Sequence, residues 1–290
     1  MPEKKEKDKI RIGILRGGDY EHYESSLRKG GEIISYILEN LSHKYKPFDI
    51  LIDKEGNWHL NGLPIEPMKL LYKVDMVWNL SHQRFSNILE SHSIKNIGIP
   101  AFSPFFEISK EKFQEKIKKM GIKMPRCIVS PKNAQEVFKR FSSPWVVKIN
   151  NEIKLIKTFP ELVEVFDNTT RDQKNILVEE FIEGKVASLH LVPFFRGENL
   201  YTFPFGNTFG TFTSSEKEKL INIAQKLHMN MGVRHYLKLD FILDKRNKVY
   251  LLNFEMIPDL KPESHLSQVC GLVGTNMHQV IEHIFDNVLL

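Results

Sequence analysis

The chain alternates strand-like and helix-like segments almost from end to end, and that alternation limits its possible folds more than any other feature. Ile10 to Leu15 is a short apolar, β-branched run that ends at Gly17-Gly18, and a helical stretch follows from about Glu24 to Leu41. Strand, glycine turn and helix in that order make a βα unit. Phe48 to Asp53 and Val74 to Leu80 read as further strands, with Gly56 and Asn61-Gly62 at the turn positions of a small hairpin between them. Strands alternating with helices argue for a mostly parallel sheet, which Gly98-Ile99-Pro100 closes.

A second region opens near Ser103, with a helix from about Ser109 to Met120, a strand at Arg126 to Val129 and a helix from Lys132 to Phe141 introduced by Pro131. Strand Trp145 to Ile149, helix Pro160 to Asp167 and strand Ile176 to Phe181 lead to a turn at Glu183-Gly184. The third region starts with strands Ala187 to Phe195 and Leu200 to Phe205, joined by the polar loop Arg196 to Asn199. A helix from Ser215 to Met231 puts Leu220, Ile223, Ala224 and Leu227 on one face. Strands Tyr236 to Leu243 and Val249 to Glu255 then pair across a turn, and helices from about Glu263 and Thr275 finish the chain.

Composition supports a folded protein of two or three domains: 290 residues, 41% hydrophobic and 27% charged. The net charge of +5 is mild, and the lysines between Lys110 and Lys123 are interleaved with Glu111 and Glu115, which fits a solvated helix face rather than a nucleic-acid stripe. No stretch approaches the ~18 apolar residues that cross a bilayer. Residues 1–9 read as a frayed, charged terminus with no signal-peptide core. Cys127 and Cys270 stand far apart with no CxxC beside them, so no disulfide scaffold or zinc site is legible, and a reducing, cytoplasmic setting is expected.

The last hairpin carries the clearest chemistry. Asp240 lies in one strand, and Asn253 and Glu255 lie two apart in the next, so the latter two share a face. Three oxygen-bearing side chains can converge there, the kind of set that hard Mg²⁺ takes together with water and phosphate. A polar face turned to solvent is the other reading. Lys148 ends the apolar run from Pro144, and Lys112 lies in the helix after the Gly98-Ile99-Pro100 turn. Such lysines can bring compact positive charge to phosphate oxygens, or simply snorkel to water.

Taken in order, these segments resemble the D-alanine–D-alanine ligases of the ATP-grasp superfamily. The resemblance rests on Ile12-Gly-Ile-Leu-Arg-Gly-Gly18, the hairpin Ile52 to Gly62, Gly98-Ile99-Pro100, Lys112, Met120 to Pro125 and Pro144 to Lys148. It continues through Leu177 to Gly184, Leu239 to Leu243 and Tyr250 to Glu255. It implies an α/β N-terminal parallel-sheet (pre-ATP-grasp) domain at 1–102, followed by a two-lobed α+β ATP-grasp fold with lobes at 103–184 and 185–290. It implies ATP and Mg²⁺ as cofactors, small amino-acid substrates, an acyl-phosphate intermediate and a dipeptide product for peptidoglycan. Neither nucleic acid nor membrane enters as a partner, and homodimers are common in the family. By position, Lys112, Lys148, Glu179, Glu180, Phe181 and Ile182 are expected at the nucleotide, and Asp240, Asn253 and Glu255 at the metal. Ser264 and His22 are expected at the substrate, and Lys238, His82 and Glu21 at the reacting groups.

The sequence also departs from that pattern. The family's Glu-x-Asn metal motif is reversed as Asn253-Phe-Glu255, and an Arg two residues before the metal Asp is replaced by Lys238, which keeps charge but loses the bidentate fork. Ile149 to Ile156 holds no glycine where a Gly/Ser-rich flap is expected, and the covering loop shrinks to Gly206 to Phe212. Val186 replaces the ribose Glu, and the acidic residue after Gly17-Gly18 falls on His22, or on Glu21 with a one-residue shift. Two readings follow: an ATP-dependent carboxylate–amine ligase, or a non-ligating descendant that binds nucleotide or a partner.

Overall fold

The structure is a computed structural model and describes residues 9–18, 23–98, 100, 110–149, 152–170, 176–206 and 210–290. Its first sheet is built from β1 (Ile10–Gly17), α1 (Tyr23–Asn40), β2 (Tyr45–Ile52), β3 (Trp58–Leu60), β4 (Leu63–Pro64), β5 (Met76–Asn79), α2 (Gln83–Ser91) and β6 (Asn96–Ile97), with strand order β4-β3-β2-β1-β5-β6. β1 pairs in parallel with β2 and β5, β5 does so with β6, and β3 and β4 form the antiparallel hairpin at one edge. Both faces of β1 are covered, Ile12 and Ile14 by one core and Leu15 by another, which is why the strand reads as a continuous apolar run. It ends where Gly17 and Gly18 adopt positive φ (83° and 75°).

The second sheet follows α3 (Lys110–Lys119). Its elements are β7 (Cys127–Val129), α4 (Ala134–Arg140), β8 (Trp145–Ile149), β9 (Glu152–Ile156), α5 (Phe159–Thr170) and β10 (Ile176–Glu180), in antiparallel order β7-β10-β8-β9. Trp145, Val147, Val178, Val137 and Phe166 fill a core made only of this segment. α4 begins at Ala134, two residues later than the expected start at Lys132, because Asn133 caps it, its side chain accepting the Glu136 N–H. Within the glycine-free stretch after Lys148, residues 150 and 151 lie outside the described residues and Glu152–Ile156 forms the edge strand β9, where Ile153 and Leu155 remain exposed.

The third sheet contains β11 (Gly184–Pro193), β12 (Leu200–Thr202), β13 (Leu237–Asp244) and β14 (Val249–Glu255) in antiparallel order β12-β11-β13-β14, with α6 (Ser214–Met231), α7 (His265–Leu272) and α8 (Met277–Leu289) around it. α6 is fixed by a Thr213/Glu216 capping box and stops at Gly232 (φ 68°). One face of this sheet packs Leu189, Leu239 and Leu251 against α6 and also against Phe113 and Ile117 of α3. On the other face Val192, Phe203 and Tyr236 join α7, α8 and the first sheet in a shared core, where Phe285 meets Tyr45 and Trp78 edge-on. Helix α2 escaped the sequence reading because two of its buried positions, Gln83 and Ser86, are polar and break the apolar period. Among the described residues no helix is long and apolar enough to cross a membrane.

Candidate functional site

The antiparallel registers of β11, β13 and β14 arrange side chains in rows on the sheet face opposite α6. Val186, Ile242 and Tyr250 form an apolar row; Ser188, Asp240 and Asn253 form the next; His190, Lys238 and Glu255 form the third. Beyond them the face closes into the apolar core at Val192 and Tyr236. A gradient from apolar to charged to dry therefore runs along one surface.

A β-bulge makes this possible. Phe241 pairs with Leu251, but its neighbour Asp240 pairs with Asn253, so Leu252 is an extra residue in β14. Val249 and Leu251 point into the core, and strict alternation from them would carry Asn253 and Glu255 there as well. The extra residue reverses the phase, turning Phe254 inward and Asn253 and Glu255 out.

At the centre of the cluster sits the ammonium of Lys238, 3.3 Å from Asp240 Oδ2 and 3.2 Å from Glu255 Oε1. Ser188 Oγ donates to Asp240 Oδ1 at 2.5 Å, and Asn253 Nδ2 donates to Glu255 Oε1 at 3.1 Å. Burial disfavours the charge on Lys238, but Asp240 and Glu255 outweigh it and hold the lysine above its usual pKa. For a hard divalent cation the donor chemistry fits: two carboxylates and one amide, with an ammonium already standing in for the positive charge between them. Among the described residues no three His, Cys, Asp or Glu side chains form a metal site by themselves, so phosphate oxygens and water would complete the shell.

Beside Lys238 in its row, His190 is buried at 2% exposure. It bonds through Nδ1 to the Tyr236 hydroxyl (2.6 Å) and through Nε2 to His265 Nδ1 (2.8 Å). Burial, then their mutual proximity and the charge of Lys238, push His190 well down; burial and Lys238 push His265 down. The sequence reading missed Ser188, His190 and His265. The period-two spacing of Ser188 and His190 was there to be seen, but not the pairing of β11 with β13.

On the second sheet, Val129, Leu177, Lys148 and Ile153 form one row, and Cys127, Glu179, Val146 and Leu155 the next, both on the face away from its core. Lys148 Nζ lies 2.7 Å from Glu179 Oε2, a pair set among aliphatic side chains. Glu180, expected beside Glu179, projects from the opposite face by simple alternation. It binds Arg126 through both the Arg126 N–H (2.9 Å) and Nε (2.7 Å), and its own N–H donates to the Arg126 carbonyl. Phe181 is exposed and Ile182 half-buried where the chain passes from the second sheet to the third.

Other expected residues are placed elsewhere. His82 caps α2, its Nδ1 accepting the Arg84 N–H. Ser264 caps α7, is 6% exposed, and its hydroxyl also reaches Met277 Sδ. Lys112 is exposed on α3 next to Phe113, whose ring stacks on Phe254. Glu21 and His22 lie outside the described residues. Glu255 also lines a cleft of about 370 Å³ bounded by Arg28, Lys29 and Glu32 of α1 and by Pro258, Asp259 and Lys261.

A D-alanine–D-alanine ligase of Aquifex aeolicus is 24% identical over 303 residues, spanning 95% of this chain and 99% of that protein. The D-alanyl-alanine synthetase A of Vibrio cholerae superposes with a TM-score of 0.70 over 97% of this chain and 98% of that one, at 17% identity. The chain is similar to D-alanine–D-alanine ligases over nearly its whole length. Among the described residues, one parallel-containing sheet and two antiparallel sheets match the fold of those structures. A D-alanine–D-alanine ligase of Bacillus anthracis, solved with ATP, gives a TM-score of 0.67 at 19% identity over 97% of each chain. No family model matches the sequence.

Proposed function

We propose that the chain is an ATP-dependent ligase that joins a carboxylate to an amine through an acyl phosphate, as a D-alanine–D-alanine ligase does, in peptidoglycan-precursor synthesis in the cytoplasm. The observation that carries this reading is the cluster of Lys238, Asp240, Asn253 and Glu255 beside Ser188, on a face with an apolar row next to it. The apolar rows suit a nucleobase and sugar, and the charged rows suit phosphates. Lys148, held by Glu179, and Lys112 meet phosphate oxygens from the other side. Residues 1–102, 103–184 and 185–290 act as a substrate domain and two nucleotide-binding lobes, and the chain pairs as a homodimer.

A carboxylate is a poor electrophile, and phosphorylation gives it a leaving group that an amine displaces. Crowding that much negative charge needs positive groups already in place, which Lys238, Lys148 and Lys112 supply. A hard divalent cation held by Asp240 and Glu255, with Asn253 beside them, would neutralise further phosphate oxygens. The cleft between α1 and residues 257–261 takes the amino-acid substrates, with Arg28, Lys29 and Lys261 available to carboxylates.

Purified protein with Mg²⁺, ATP and D-alanine is expected to release ADP, and Asp240→Ala or Lys148→Ala to abolish that release. One observation favours a non-ligating nucleotide binder: the Lys238 ammonium already occupies the space between Asp240 and Glu255. That second reading takes over if a panel of D- and L-amino acids and hydroxy acids yields no ADP while calorimetry still registers nucleotide binding.

A further inference from the structure

Beside the charged rows, Val186, Ile242 and Tyr250 form one apolar row across β11, β13 and β14. Past Lys238 the face closes into the core at Val192 and Tyr236, so a nucleotide whose phosphates lie at Asp240 and Lys238 extends toward Val186. One row is two residues, about 7 Å along the strands. That is the step from phosphates to sugar, and it sets the sugar over Val186 and Ile242.

What the sugar hydroxyls meet there decides how the sugar is recognised. Val186 is half-buried and Ile242 is 7% exposed, and neither side chain carries a hydrogen-bonding atom. Tyr250 stands two strands from Val186, about 10 Å away. It lines the groove of Lys123, Arg126 and Glu180, with Lys123 Nζ 5.7 Å from its ring centre. The neighbouring acceptors are engaged elsewhere. Asp240 Oδ1 accepts from Ser188, and Asp244, one row toward the turn, accepts the Arg246 and Lys248 N–H groups through Oδ1. Glu183 pairs with Lys245 at 2.6 Å, and Glu216 pairs with Lys185 on the face toward α6. The sugar is left with aliphatic contact and water. A site that hydrogen-bonds a substrate hydroxyl rejects the analogue lacking it strongly, because its own polar groups are then unpaired; an aliphatic surface has no such group to strand.

We propose that the site does not discriminate at the sugar 2′ position, so that 2′-deoxyribonucleotides are bound and used as readily as ribonucleotides, and that Val186 sets this tolerance. This rests on the nucleotide part of the reading above and deepens it by naming the class of nucleotide accepted.

Calorimetric titration of the whole chain with ADP and 2′-deoxy-ADP, in the presence of Mg²⁺, tests this. The two wild-type dissociation constants are expected to lie within threefold of each other, and a larger preference for ADP overturns the inference. Val186→Glu places a carboxylate beneath the sugar and is expected to open a gap of fivefold or more in favour of ADP, while Val186→Leu keeps the wild-type ratio. An unchanged ratio in Val186→Glu, with its circular dichroism intact, overturns the assignment to Val186; the wild-type comparison decides the 2′ tolerance even if that variant fails to fold. Turnover with D-alanine separates this inference from the ligase reading. ADP release from ATP with no corresponding release from 2′-deoxy-ATP overturns the inference and leaves the ligase reading standing. Equal binding of both diphosphates without turnover supports the inference and removes the ligase reading. Binding of neither nucleotide overturns both.

Discussion

Asp240 meets Asn253 across the β13–β14 ladder because Leu252 is one residue more than a regular strand would hold. That single insertion turns Asn253 and Glu255 away from Leu239 and Leu251 and toward Lys238. In an unbroken ladder the same two polar groups would enter an apolar core, at a cost of several kcal/mol for an unpaired charge.

Replacing Lys238 by Met leaves Asp240 and Glu255 facing each other without the ammonium. Thermal unfolding at neutral pH is expected to reveal a loss of about 1–2 kcal/mol. Added MgCl₂ should restore more stability to Lys238→Met than it gives the wild type, where the ammonium competes for the space. An equal response of the two proteins would rule out a stand-in role for Lys238.

Lys148 and Glu180 lie on opposite faces of the second sheet, and only Lys148 borders the apolar rows. Calorimetric titration with ADP should show Lys148→Met weakened about tenfold, roughly 1.4 kcal/mol. Glu180→Gln should stay within about twofold and lose under about 1 kcal/mol of stability, because its partner Arg126 is 64% exposed. Equal weakening would mean that the face assignment does not govern nucleotide binding.

His228 and His235 are each pushed down to about 4, chiefly by burial, and among the described residues His228 Nε2 has no partner. Unfolded histidine titrates near 6.5, so between about pH 4 and 6.5 the unfolded chain binds more protons than the folded one. Stability is therefore intact above about pH 6.5 and falls as the pH drops toward 4. Urea unfolding at pH 7 and pH 5 should differ by about 2–4 kcal/mol from these two groups together. His190, also pushed down, adds in the same direction. His228→Asn should flatten the slope, and an unchanged slope would remove His228 from the account.

Phe285 of α8 is fully buried between Tyr45 and Trp78 of the first sheet. Phe285→Ala is expected to cost about 3–5 kcal/mol in urea unfolding. Circular dichroism and tryptophan fluorescence should move together, since the first sheet and the C-terminal helices share that core. A transition that splits by probe would contradict a shared core.

Much of the fold was legible because burial imposes a period. β1, α6 and the β13–β14 pair advertise themselves through Ile12 and Ile14, through Leu220, Ala224 and Leu227, and through Leu237, Leu239 and Phe241. Pairing between distant strands leaves no such local trace. Ser188 and His190 reach Asp240 and Lys238 only because β11 adds to the far edge of β13. Glu179 and Glu180 looked equivalent as neighbours in sequence, yet the pleat sends them to different partners. The bulge at Leu252 is likewise invisible in a run of apolar residues.

The strap between the second and third sheets has a mechanical consequence. The chain leaves the edge of β14 after Lys123, whose N–H and carbonyl bond to Val249 and Leu251, and returns into β11 at Gly184. On the way, Arg126 and Glu180 clasp the outgoing and incoming strands together. The second sheet keeps its own core, while α3 stays anchored on the third. A tilt of one sheet against the other would therefore load this buckle and spare both interiors.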